Sequence, residues 1–145
     1  MQAPIIRTGS QLEVAGDWVN LLWPMYSPQL LDHFQRPRNA GELADADAYV
    51  RVENPACGDI LELYAKFESG RIGAIRFRAK GCVPAMACGS LVTELANGRT
   101  VTEAKEISRA MIEKQIGGVP EASGHAAQLA NDALHALLEK SMRNG

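Results

Sequence analysis

The sequence is short of most features that announce a function outright. Of its 145 residues only 6% are aromatic, with two tryptophans and three cysteines. Charges nearly balance, 15 lysines and arginines against 17 acids for a formal net charge of −2, and the basic residues are scattered along the chain. A nucleic-acid footprint needs a basic stripe dense enough to displace counterions from phosphates, so no nucleic-acid partner is expected. The apolar runs are broken well before the ~18 residues that cross a bilayer, so no membrane partner is expected either. The amino terminus has no basic segment leading into a clean apolar one, the arrangement of an export signal. An odd number of cysteines in such a chain reads as free thiols in a reducing compartment, and the expected localisation is cytoplasmic.

What remains is an ordinary globular composition, 46% hydrophobic and 22% charged. The length suits one domain with a core of its own. Residues 1–25 read as an N-terminal extension, in which Leu12, Val14, Trp18, Leu21, Leu22 and Trp23 suggest a short amphipathic element ended by Pro24. The domain is expected over 26–145. Its first helix starts at Ser27, a capping residue followed by a proline suited to the first turn, and stops at Arg36 before Pro37. Strands follow over Tyr49–Asn54, Ile60–Phe67 and Ile72–Ala79, the last two joined by a turn at Glu68-Ser69-Gly70. Helices come next: Met86–Asn97, ended by Gly98; a short one behind the capping box Thr100–Glu103, reaching Ile107; another from Ser108 to Ile116; and a final one from His125 to Met142. Gly117-Gly118-Val119-Pro120 separates the last two. Strands first and helices after give an α+β fold, a three-stranded antiparallel sheet with helices packed on one face.

The side chains with chemistry to offer are the thiols and a few neighbours. Cys57-Gly58-Asp59 lies between two strands, where a thiolate and a carboxylate two residues apart can share a target; a tight turn around a buried cysteine explains the same tripeptide. Cys82, in Gly81-Cys82-Val83-Pro84, sits at a helix entrance, where the positive end of the helix dipole favours the thiolate. Cys88 shares a helical face with Leu91, Val92 and Leu95 and reads as a small buried hydrophobe. His125 follows a Gly/Pro break and opens a helix, the position of a convergent ligand. His33 and His135 lie inside helices and read as structural.

Four blocks of the sequence resemble those of IscU/NifU-type iron–sulfur cluster assembly scaffolds. Tyr26-Ser27-Pro28 with Asp32-His33-Phe34 and Pro37-Arg38-Asn39-Ala40-Gly41 is similar to the family's opening. Pro55-Ala56-Cys57-Gly58-Asp59 is similar to its first ligand motif. Gly81-Cys82 with Ala85, Ala87, Ser90 and Leu91-Val92-Thr93-Glu94 is similar to the second, and His125 with Leu129-Ala130 and Asp132-Ala133 to the third. The resemblance runs from about Tyr26 to Leu138 and implies an IscU-like fold. It also implies a scaffold, not an enzyme, on which a transient [2Fe–2S] cluster is assembled from iron and from sulfur delivered by a cysteine desulfurase, then passed to apo iron–sulfur proteins. The implied cluster and metal ligands are Cys57, Asp59, Cys82 and His125, and two thiolates, an imidazole and a carboxylate also suit zinc or iron in the isolated protein. Two departures stand out. Ala126 occupies the place of the family's third cysteine, and Gly117–Gly124 replaces its "LPPVK" chaperone-recognition loop. Alternative roles follow from them: a persulfide acceptor for the desulfurase, or a zinc-binding regulatory module that has lost assembly.

Overall fold

A computed structural model of the chain describes residues 26–55, 58–120 and 123–144. The amphipathic element expected around Leu12–Trp23, and Cys57, lie outside the described residues. The first described element, α1 (Pro28–Gln35), starts as the sequence dictates: the Ser27 hydroxyl accepts the Leu30 amide at 3.0 Å, Pro28 opens the helix, and the chain leaves it at Arg36, ahead of Pro37. Its inward residues Leu30 and Leu31 are fully buried.

Strands β1 (Ala48–Asn54), β2 (Asp59–Glu68) and β3 (Arg71–Lys80) form an antiparallel meander in the order β1-β2-β3. Ser69 and Gly70, at φ +55° and +77°, make a two-residue turn between the paired Glu68 and Arg71. Positive φ at both positions gives a turn whose twist matches that of the flanking strands. Alternation does the rest. Val50, Leu61, Leu63, Ala65, Ile75 and Phe77 point into the core, while Tyr49, Arg51, Arg76 and Arg78 are exposed.

Helix α2 (Val83–Ala96) begins three residues earlier than the sequence reading placed it, because Pro84 sits in its first turn, where the missing N–H costs nothing. It is also buried almost all round rather than on one face: Ala87, Cys88, Val92 and Ala96 are wholly inaccessible and Leu91 nearly so. Gly89 lies against the sheet so closely that a β-carbon there would meet Leu61 and Phe77 side-chain carbons at 3.0 Å. The short α3 (Val101–Ala104) carries the expected capping box between Thr100 and Glu103 but ends before Ile107. Then come α4 (Arg109–Gln115), capped by Ser108, and α5 (His125–Asn144). The last helix packs on α2, β1 and β2, which completes the layer of helices on one sheet face. A polar seam, buried at His33 and Ser90 and open to solvent at Glu94, ties α1 to α2. His33 Nδ1 lies 2.8 Å from Ser90 Oγ, His33 Nε2 lies 3.3 Å from Glu94, and the Ser90 hydroxyl also accepts the Arg38 amide at 2.8 Å.

Candidate metal centre

The antiparallel register decides which loops meet. Asn54 pairs with Asp59 and Ile60 with Lys80, so β2 begins beside the end of β3. From Lys80 the chain runs through Gly81 to Cys82, the N-cap of α2. His125 arrives from the opposite direction, as the first residue of α5. Three contacts lie on either side of it: the Ser27 hydroxyl donates to the Ile116 carbonyl, and the Arg109 guanidinium reaches the Gly124 carbonyl at 3.4 Å and Gln128 at 3.1 Å.

The side chains of Asp59, Cys82 and His125 converge, each offering one ligand atom within 4.8 Å of the others. Asp59 Oδ2 is 2.8 Å from His125 Nε2 and accepts from the Cys82 thiol at 3.3 Å, and Cys82 Sγ is 4.0 Å from His125 Nε2. Asp59 Oδ1 accepts the Cys82 amide at 3.2 Å. Ligands bound to one tetrahedral metal at about 2.0–2.3 Å stand roughly 3.3–3.8 Å apart, so the observed spacings need only small adjustments to embrace an ion. The Asp59 side chain is 5% exposed and that of His125 22%, so the trio lies at the bottom of a partly open site. A thiolate, an imidazole and a carboxylate span soft to hard donors, a set that suits zinc or iron.

The expectation that the helix dipole lowers the Cys82 pKa is overturned. Burial pushes the thiol up; the Ala85 amide pulls it down by hydrogen bonding, the Asp59 carboxylate pushes it up again, and the net shift is upward. The shift favours the thiol over the thiolate, so a metal held by Cys82 would have to displace its proton.

Over residues 25–144 the sequence matches the NifU-like N terminal domain. The chain belongs to that family. It is 43% identical over 122 residues to "Iron-sulfur cluster assembly scaffold protein IscU 1" of Archaeoglobus fulgidus, covering 83% of this chain and 80% of that protein. It is 39% identical over 117 residues to the iron-sulfur cluster assembly scaffold protein IscU of Azotobacter vinelandii, covering 78% and 91%. The fold is also that of a NifU-like N-terminal protein from Brucella abortus, with a TM-score of 0.68 at 20% identity over 83% of this chain and 96% of that one.

Of the four ligands read from the sequence, this NifU-like domain brings three together, and Cys57 lies outside the described residues, two positions before Asp59. Cys88 is fully inaccessible, and burial pushes its thiol up to about 12, as befits a core side chain. His135 is held by the Ile107 carbonyl at 2.8 Å, and His33 belongs to the α1–α2 seam. Ala126 is 1% exposed, so the place of the family's third cysteine is filled by a packed methyl group. One neighbour of the centre was not singled out in the sequence. The phenol of Tyr26 is pushed up by burial and, once Cys82 is ionised, by the thiolate charge, which puts the residue leading into α1 within electrostatic reach of that sulfur. Its only signal in the sequence is its place at the head of the opening motif.

Proposed function

We propose that the chain is an iron–sulfur cluster assembly scaffold, on which a [2Fe–2S] cluster is built from iron and desulfurase-derived sulfur and then handed to apo-proteins. The observation that carries this reading is the convergence of Asp59, Cys82 and His125 in a NifU-like domain. Cys57 completes the ligand set in this reading, and the carboxylate makes it a weak set for cluster iron. A scaffold releases what it binds, so a harder, exchangeable oxygen donor among thiolates fits the task. A thiol-dependent centre belongs in a reducing compartment, in keeping with a cytoplasmic setting. In the same reading residues 1–25 are an extension outside the scaffold domain.

Anaerobic incubation with ferrous iron, a cysteine desulfurase, cysteine and a dithiol reductant, which reduces the persulfide sulfur to sulfide, tests the proposal. A visible charge-transfer spectrum that decays as an apo-ferredoxin gains its own is the expected result. Absence of any such spectrum under conditions that load a three-cysteine relative overturns it.

Ala126 gives a second reading its foothold. With one thiol fewer than the family pattern, the set Cys57, Asp59, Cys82 and His125 is also a tetrahedral zinc set, and a protein that holds zinc but rejects iron and sulfide is a regulatory module rather than a scaffold. The third role is a persulfide acceptor at Cys82 or Cys57; the raised pKa of Cys82 disfavours that thiol, because the thiolate is the attacking species, and Cys57 lies outside the described residues.

A further inference from the structure

Gly81 joins the end of β3 to Cys82 with a φ of +139°. A β-carbon placed on it would stand 2.1 Å from Asp59 Oδ1 and 2.7 Å from Asp59 Cγ. An alanine methyl has no rotamer with which to evade that overlap, and the Asp59 side chain, 5% exposed, is walled in. The two carboxylate oxygens of Asp59 have different surroundings. Oδ1 accepts the Cys82 amide at 3.2 Å, whereas Oδ2 meets the Cys82 thiol at 3.3 Å and His125 Nε2 at 2.8 Å. Cys82 makes no side-chain cap to α2, so the carboxylate of β2 serves the start of that helix and lies at the positive end of its dipole.

We propose that Gly81 is a positioning residue of the metal centre, whose missing side chain lets Asp59 anchor Oδ1 on the Cys82 amide and present Oδ2 alone to a metal. The inference rests on the reading of Asp59, Cys82 and His125 as a metal centre. An anchored carboxylate is aimed before the ion arrives, and second-contact groups of this kind govern how well a ligand holds its metal. With Oδ1 engaged, Asp59 binds through one oxygen.

The test uses Zn²⁺ as the probe, with affinity measured against a competing chelator, and hydrogen exchange of the Cys82 amide in the metal-free protein. Gly81→Ala is expected to weaken Zn²⁺ binding about ten- to a hundredfold and to remove protection of the Cys82 amide. Asp59→Ala should do the same. In the double variant the clash with Asp59 is gone while the φ of +139° still strains the alanine, so it should be less stable than Asp59→Ala but bind Zn²⁺ no more weakly. Additive losses in the double variant, or unchanged affinity in Gly81→Ala, overturn the proposal. Asp59→Asn decides the case if Gly81→Ala does not fold. Its amide oxygen can still accept from Cys82 while an NH₂ group replaces Oδ2, so amide protection should survive and Zn²⁺ affinity should fall to the Asp59→Ala level. Loss of protection in Asp59→Asn overturns the division of roles. Failure of the wild-type protein to bind Zn²⁺ would instead sink the metal-centre reading, while the amide protection of the variants still judges the contact between Gly81 and Asp59.

Discussion

His33 shows how a residue without a role in the chemistry can set a pH limit. With its proton on Nε2 the neutral ring donates to Glu94 and accepts from Ser90, so both nitrogens are used inside the seam. Burial holds its pKa below the usual histidine value, Arg38 pushes the same way, and Glu94 and Asp32 oppose them only in part. The unfolded chain takes up that proton near pH 6.5 and the folded one does so only at lower pH. The stabilisation is therefore complete above about pH 6.5 and is lost as pH falls from there through the folded value. Denaturant midpoints of the metal-free protein should drop between about pH 7.5 and 5.5, and His33→Gln should flatten that slope; an equal slope in both proteins would refute the assignment. Cys88 makes the opposite case, a reactive group silenced by burial. Cys88→Ala should cost about 1 kcal/mol through lost packing and leave Zn²⁺ stoichiometry unchanged. Collapse of metal loading in a folded variant would show Cys88 to be a ligand.

Among the elements, α2 carries most of the architecture, since it supplies Cys82 at its N-cap and the centre of the core along its length. Gly89 is the sharpest probe of it. On an open helix, replacing glycine with alanine stabilises by up to about 1 kcal/mol. Here the new methyl would press on Leu61 and Phe77 at 3.0 Å, so Gly89→Ala should destabilise by about 1–3 kcal/mol. The sign alone, read from thermal or urea unfolding, separates a helix seated on the sheet from one with an open side. α3 is held by local chemistry instead. Its Thr100 hydroxyl accepts the Glu103 amide, and Glu103 returns the bond to the Thr100 amide, each at 3.0 Å. Thr100→Ala should therefore cost about 1 kcal/mol, with metal affinity unaffected because α3 supplies no side chain to the centre.

For the whole molecule the telling fact is that the three converging side chains, the candidate ligands, come from the start of β2, the β3–α2 junction and the start of α5. An unfolded chain does not gather residues 59, 82 and 125 around one point, so an ion held by all three would couple binding to folding. Zn²⁺ at a hundred times its dissociation constant should add about 2.7 kcal/mol to the unfolding free energy, and the increment should vanish in Cys82→Ser. Equal melting temperatures with and without Zn²⁺ in the wild-type protein would count against the centre. No helix among the described residues is long and apolar enough to cross a membrane.

Much of this was legible without coordinates because it is local. Ser27 before Pro28, the apolar runs of β2 and β3, the turn after Phe67 and the Thr100–Glu103 box each encode their structure within a few residues; all four form, the turn one residue shorter than read because Glu68 stays paired with Arg71. The centre was partly legible for a different reason: Asp59, Cys82 and His125 were singled out by loop position and by resemblance to a family, not by any calculation of proximity. What only the tertiary structure decided are the effects that depend on neighbours distant in sequence. Periodicity made Cys88 part of a single apolar face, whereas the sheet, α1 and α5 enclose α2 almost completely. The helix dipole argued for a Cys82 thiolate, but burial and a carboxylate from β2 reverse the shift. His33 looked like a helix residue without context until Ser90 and Glu94, more than fifty positions along the chain, supplied it. Caps, turns and alternation are short-range and survive in one dimension; desolvation, coordination and steric closeness are set by packing, which only the folded chain possesses.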